Sequence, residues 1–225
     1  MPGRKIPLIN NQIYHVLNRG ISLQLTFITK RNYQRALEVM RYYQNEKQPL
    51  RYSQFLSLSN ERRTQILEDL AREKRYFVEI IAYCLMPNHF HFILKQLIEN
   101  GISKFLSNFT NSYTRYFNTK NKRTGPLFQG KFKAVMIESD EQLLHLSRYI
   151  HLNPYSSHLI KNIKDIEVYP YSSFRKYIEK DETNFCDKKL VLDNFKDASS
   201  YKEFVLNQAD YQKKVDEIRH LVMEG

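Results

Sequence analysis

The 225-residue chain has no tryptophan, two cysteines, six glycines and seven prolines. So little Gly and Pro, beside 42% apolar residues, excludes collagen-like, low-complexity and disordered classes and predicts a globule with a core. Cys84 and Cys186 are too few and too far apart for a zinc ribbon or a disulfide framework, and Cys84, inside an apolar run, reads as core. No apolar run approaches the roughly 18 residues of a membrane span, and Met1 to Asn10 lack the apolar stretch of a secretory signal. A cytoplasmic location with no membrane partner is therefore expected.

The most informative absence is of acid. Gly101 to Ile137 contain Lys104, Arg115, Lys120, Lys122, Arg123, Lys131 and Lys133 but not one Asp or Glu, where the chain's mean content would place roughly four. Overall 35 Lys and Arg against 24 Asp and Glu give a net charge of +11. From Glu179 onward the chain has 11 acidic and 8 basic residues, a net of −3, so all of the excess lies in residues 1–178. Interleaved with the cations are Phe105, Phe109, Tyr113, Tyr116, Phe117, Phe128 and Phe132. Phosphates need charge and unstacked bases need ring faces, so the stretch predicts a groove for single-stranded nucleic acid, with about half the rings left for the core.

Local patterns give an element order. Gln12 to Asn18 alternate as a strand, and an amphipathic helix follows at about Arg31 to Glu46. Tyr52 to Lys74 read as an inserted helical hairpin or one long helix. Tyr76 to Met86 and His89 to Gln96 read as two strands joined at Pro87-Asn88. Ile102 to Asn118 follow as a helix, Lys131 to Glu138 as a strand, and a last helix starts at the N-cap Ser139 and stops at Asn153-Pro154. With no repeated βαβ crossovers, this order predicts an α+β fold of the ferredoxin-like kind, an antiparallel sheet with helices packed on one face. The tail from Lys188 adds two short helices, the second capped by Ser200. The expected division is a domain of residues 1–178, with a helical insertion at about 48–75, and a small acidic extension of 179–225.

Chemistry can sit in two places. On a strand, His89 and His91 share a face about 6.6 Å apart at the Cα atoms, while Phe90 and Phe92 turn to the other. Two imidazoles so placed can hold one divalent cation. On the last helix His145, Tyr149 and Asn153 fall at i, i+4 and i+8, one face. A tyrosine hydroxyl there can attack a phosphodiester if a metal polarises it, and an amide oxygen one turn on can complete the metal's coordination. Gly125 to Lys131 have the spacing of a phosphate-binding loop, but Phe132 stands where a hydroxyl is needed.

These motifs resemble a known family. Met86-Pro87-Asn88-His89-Phe90-His91-Phe92 is similar to the His-hydrophobe-His motif of single-tyrosine HUH transposases. Tyr113 to Asn118, Gly125 to Lys133 and Arg148 to Pro154 resemble the branch called REP-associated tyrosine transposases. The resemblance covers roughly His15 to Tyr177, with the motifs in order. It implies a ferredoxin-like fold and metal-dependent cleavage and rejoining of single-stranded or hairpin DNA through a 5′-phosphotyrosine, in a prokaryotic, nucleoid-associated setting. It makes Tyr149 the nucleophile, His89 and His91 ligands of Mg2+ or Mn2+, and Asn153 a third ligand. The DNA-binding residues expected from the basic stretch are Arg115, Lys120, Lys122, Arg123, Lys131 and Lys133. Insertion-sequence members work as dimers that exchange the tyrosine helix and the REP-associated branch as monomers, so a homodimer stays open. Two rival readings are a non-catalytic binder of structured DNA or RNA and a metal-dependent phosphoesterase that uses water.

Overall fold

A computed structural model of the chain describes residues 7–179, 185–210 and 212. In chain order the elements are β1 (Ile13–Arg19), α1 (Lys30–Tyr43), α2 (Tyr52–Leu56), α3 (Asn60–Glu73), β2 (Val78–Met86), β3 (His89–Gln96), α4 (Gly101–Lys120), β4 (Lys133–Ile137) and α5 (Asp140–Ser156). Beyond them lie α6 (Phe174–Ile178), α7 (Lys189–Leu192) and α8 (Ala198–Leu206). The sheet runs β2-β3-β1-β4 with every neighbouring pair antiparallel. Apart from the inserted α2 and α3, this is a βαββαβ unit, the ferredoxin-like arrangement expected from the element order.

Alternation along the strands decides what covers each face. Tyr14, Val16, Phe90, Phe92 and Leu94 face α1 and α4, and Phe92 meets the rings of Phe105 and Phe109 on α4. Complete burial of such rings contributes about 1.5–3 kcal/mol each, and both Phe90 and Phe92 are fully buried. Gly101 opens α4 because a Cβ there would lie 2.2 Å from the Phe77 carbonyl oxygen. The opposite face is covered as well: α5 crosses it, with contacts to β2, β3 and β4. This second layer, which the element order alone does not place, puts a helix directly over the histidines.

Three local readings are corrected. Asn153-Pro154 do not stop α5, which continues to Ser156 with Pro154 inside it. Proline lacks one N–H and so removes one helical bond, but Leu152 to Ser156 are all buried and packing holds the last turn. The cap of α8 is Asp197, not Ser200: its extended backbone lets the carboxylate accept the Ser200 N–H at 2.7 Å. Of the seven rings in the acid-free stretch, five are core, because α4 needs its whole apolar face against the sheet; only Tyr116 and Phe132 stay partly exposed.

The segments after α5 close the outer edge of β2. Ser172 bridges Cys84 and Cys186 bridges Ile80, while the carbonyl of Ile81, at a break in the β2–β3 register, accepts Tyr177 Oη–H at 2.7 Å. Within the acidic extension expected at 179–225, residues 180–184, 211 and 213–225 lie outside the described residues.

Candidate active site

The β2–β3 turn is fixed from outside. The Pro87 carbonyl accepts the N–H groups of Thr26 and Phe27 at 2.7 and 2.9 Å, and the Asn88 carbonyl accepts that of Gly20 at 2.7 Å. The loop after β1 therefore locks the residue from which β3 departs, and His89 and His91 emerge on the α5 side of the sheet. Their rings meet edge to face at 5.0 Å between centroids. His91 is buried at 6% exposure and His89 half-buried.

A third histidine joins them. His15 sits on β1, whose register sets Leu17 opposite His91, so His15 shares that face of the sheet. Its Nε2 is 2.9 Å from His91 Nδ1, and the two rings stack at 5.2 Å with 12° between planes. Sequence reasoning missed this residue. The alternation of β1 was readable, but the pairing partner of His15 depends on a register set 76 residues away.

All three imidazoles are held neutral. Burial lowers the His15 pKa to about 4. Burial does the same for His89, helped by the Arg19 charge and opposed by a hydrogen bond with Asn153, leaving it at about 4. His91 is pushed well below the usual histidine range by burial first and then by His89, His15 and Arg19. Neutral rings keep a lone pair for a metal.

The helix α5 brings the remaining residues. Ser139 caps it by accepting the Gln142 N–H, and Asp140 and Glu141 occupy the first turn, where the helix dipole favours acid. Tyr149 presents its ring edge-on to His91 at 5.8 Å between centroids. Asn153, one turn on and 5% exposed, reaches His89. Behind this face, fully buried His151 pins the helix. Its Nδ1 lies 2.7 Å from Tyr201 Oη and its Nε2 2.8 Å from Ser173 Oγ, and Tyr201 donates to Ser147 at 3.0 Å. Since Tyr201 gives its proton to Ser147, the Nδ1–H of His151 donates to Tyr201, and Nε2 accepts from Ser173.

The residues expected to hold a metal thus converge. His89, His91 and Asn153 come together around Tyr149, and His15 stands behind His91. Two imidazole nitrogens and one amide oxygen suit a divalent cation such as Mg2+ or Mn2+, with further coordination positions left open. Among the described residues no group of three or more His, Cys, Asp and Glu could hold a metal by itself. The donor set is consistent with that, because its third member is an asparagine.

The basic residues come from α4, from the loop after it and from the start of β4. Arg115 and Lys120 project from the outer side of α4, and Lys122 is exposed in the loop that follows. Arg123 is tied into that loop, donating to Asn118 Oδ1 at 2.7 Å and to the Pro126 carbonyl at 3.0 Å. Lys131 and Lys133 are exposed at the start of β4.

Comparison with known proteins finds similarity over part of the chain. Residues 50–153 match the family described as "Transposase IS200 like". The match runs from the insertion to Asn153 and contains His89, His91 and Tyr149, while β1 with His15 lies before it. Over those residues the chain is similar to the IS200-like transposase family. It is 30% identical over 117 residues to a Haemophilus influenzae protein described as "Putative REP-associated tyrosine transposase". That match takes in 47% of this chain and 64% of the relative, just under two thirds of its length. A solved structure, described as a REP-associated tyrosine transposase bound to a REP hairpin, superposes with a TM-score of 0.52 at 17% identity. It covers 80% of this chain and 87% of the other, and shows the common fold. No helix of the described residues is long and apolar enough to cross a membrane.

Proposed function

We propose that the chain is a REP-associated type of tyrosine transposase, a strand transferase that cleaves and rejoins single-stranded or hairpin DNA. The observation that carries this is the placement of Tyr149 against His91 while Asn153, on the same helix, reaches His89. Nucleophile and metal-binding amide are thereby one rigid unit facing the histidine pair.

The phenolic oxygen of Tyr149 attacks the scissile phosphorus and its proton passes to solvent. The bond from phosphorus to the 3′ oxygen breaks, and that oxygen leaves with the electron pair and takes up a proton. The products are a 5′-phosphotyrosine and a free 3′-hydroxyl. Rejoining is the reverse, with a 3′-hydroxyl attacking the phosphotyrosine, and the ester keeps the bond energy so that no nucleoside triphosphate is required. A divalent cation held by His89, His91 and Asn153 would supply Lewis-acid polarisation of the phosphate. His15 fixes His91: with His91 Nδ1–H donating to His15 Nε2, the Nε2 of His91 is left as the ligand atom.

All of these groups belong to one chain, so a homodimer is not needed to assemble the site. Arg115, Lys120, Lys122, Lys131 and Lys133 carry the DNA backbone in this reading, and Arg123 shapes the loop that presents them. Incubating full-length protein with labelled hairpin DNA and divalent metal tests it. A protein-linked band that survives denaturation is expected; cleavage without such a band favours the water-using phosphoesterase, and binding without cleavage favours the non-catalytic binder.

A further inference from the structure

The last residue of β1, Arg19, stands directly opposite His89 in the β1–β3 register. The Gly20 N–H and the Asn88 carbonyl make the neighbouring hydrogen-bonded pair at 2.7 Å. Arg19 and His89 are therefore a non-hydrogen-bonded pair, the kind in which facing side chains come closest, with Cα atoms about 4.5 Å apart. Directly paired residues share a face of the sheet, so Arg19 issues on the side that carries His15, His89 and His91 and that α5 crosses. Burial agrees with this parity: Tyr14, Val16 and Asn18 at the even positions of β1 are buried, whereas Arg19 is exposed. The backbone beneath it is fixed, since its N–H donates to Asn18 Oδ1 at 2.8 Å and its carbonyl accepts the Gln129 N–H at 2.7 Å.

Nothing in the fold neutralises the Arg19 charge. Its guanidinium forms no ion pair among the described residues. The polar groups beside it, the His15, His89 and His91 imidazoles and the Asn153 amide, carry no negative charge, and the Arg19 charge reaches both His89 and His91. Lys133, opposite Leu17 on the same face, continues the positive row onto β4. A fixed positive charge beside residues suited to a divalent cation repels that cation unless an anion lies between them. The planar guanidinium fork matches the two oxygens of a phosphate group.

We propose that Arg19 is a catalytic residue that grips the non-bridging oxygens of the scissile phosphate, a role that rests on the strand transfer proposed above. As Tyr149 Oη adds to phosphorus, negative charge builds on those oxygens, and a donor already fixed by the sheet stabilises it without rearranging. No bond of Arg19 forms or breaks, and its guanidinium keeps its proton throughout. The phosphotyrosine retains the same two oxygens, so the grip serves rejoining as well as cleavage.

The test uses the full chain, Mn2+ and a labelled hairpin whose cleavage position has been mapped with wild type. Arg19→Gln should slow formation of the protein-linked band about a hundredfold or more, as for loss of one transition-state donor. Arg19→Lys, a point charge without the fork, should recover part of that rate. Mn2+ affinity, read by electron paramagnetic resonance, should be unchanged or tighter in Arg19→Gln because a repelling charge is gone. A loss of about tenfold, typical of removing a ligand's support, would instead make Arg19 a prop for the histidines and overturn the proposal. A second hairpin carries an uncharged methylphosphonate at the mapped position, and on it wild type and Arg19→Gln should react at nearly equal rates. The same rate gap on both hairpins, or a wild-type rate for Arg19→Gln on the natural phosphate, overturns the proposal and leaves Tyr149 in place as nucleophile. Wild-type protein that forms no band on any hairpin contradicts strand transfer itself, and the role of Arg19 falls with it.

Discussion

His15 Nε2 lies 2.9 Å from His91 Nδ1, so a residue of β1 fixes the ring that faces the candidate nucleophile from β3. Groups behind a metal ligand set its tautomer and orientation, and their loss typically costs ten- to a hundredfold in metal affinity. His15→Ala is expected to weaken Mn2+ binding by about tenfold or more, read from the free Mn2+ signal by electron paramagnetic resonance. His15→Gln, which keeps an acceptor, should recover part of it. Equal affinity in wild type and His15→Ala contradicts this role.

His89→Ala and His91→Ala should each abolish divalent-dependent cleavage while hairpin affinity is largely kept, since the lysines carry binding. Asn153→Ala should slow cleavage and recover at high metal concentration. Cleavage that persists in EDTA, or unfolding of both histidine variants by circular dichroism, contradicts the assignment.

The basic loop divides by role. Lys120→Ala with Lys122→Ala should flatten the log-log dependence of hairpin affinity on salt by about 1.4, from about 0.7 for each phosphate contact on single strands. Arg123→Ala should instead loosen the loop that Arg123 ties through Asn118 and Pro126, seen as faster amide exchange at 118–126. An unchanged slope in the double lysine variant means those side chains are only solvated.

The buried network behind α5 makes stability depend on pH. Burial lowers the His151 pKa to about 3 from an ordinary 6.5. The unfolded chain takes up that proton first, so the contribution of His151 is complete above about pH 6.5 and is lost as pH falls toward 3. In metal-free protein this adds a loss of about 1.4 kcal/mol per pH unit between pH 6 and 4, measured by urea unfolding. Tyr201→Phe, which removes the acceptor of His151 and the donor to Ser147, should cost about 1–3 kcal/mol at pH 7. A pH 7 stability equal to wild type contradicts the network.

Much of this fold could be read locally. The bounds of β3 at His89 and Gln96, the Ser139 cap and the order of elements follow from alternation, turn residues and helical spacing within a few residues of each position. What escaped needed distant partners. Pro154 stays helical because its neighbours are buried. Four of the five rings of α4 are core because β3 sends Phe90 and Phe92 against that face. His15 joins His91 because β1 pairs with β3. The convergence of His89, His91, Tyr149 and Asn153 was legible from motif resemblance and spacing, whereas the layer that brings α5 over the sheet was not.

The central claim is that Tyr149 is the nucleophile. Tyr149→Phe keeps the ring against His91 and removes only the hydroxyl, so the fold should stand while cleavage and covalent attachment both vanish. Tyr116→Phe, altering a ring on α4 in the opposite layer of the sheet, should retain both. Labelled hairpin DNA incubated with each variant and separated under denaturing conditions decides the matter. The account predicts a protein-linked band from wild type and Tyr116→Phe and none from Tyr149→Phe; an adduct formed by Tyr149→Phe contradicts it.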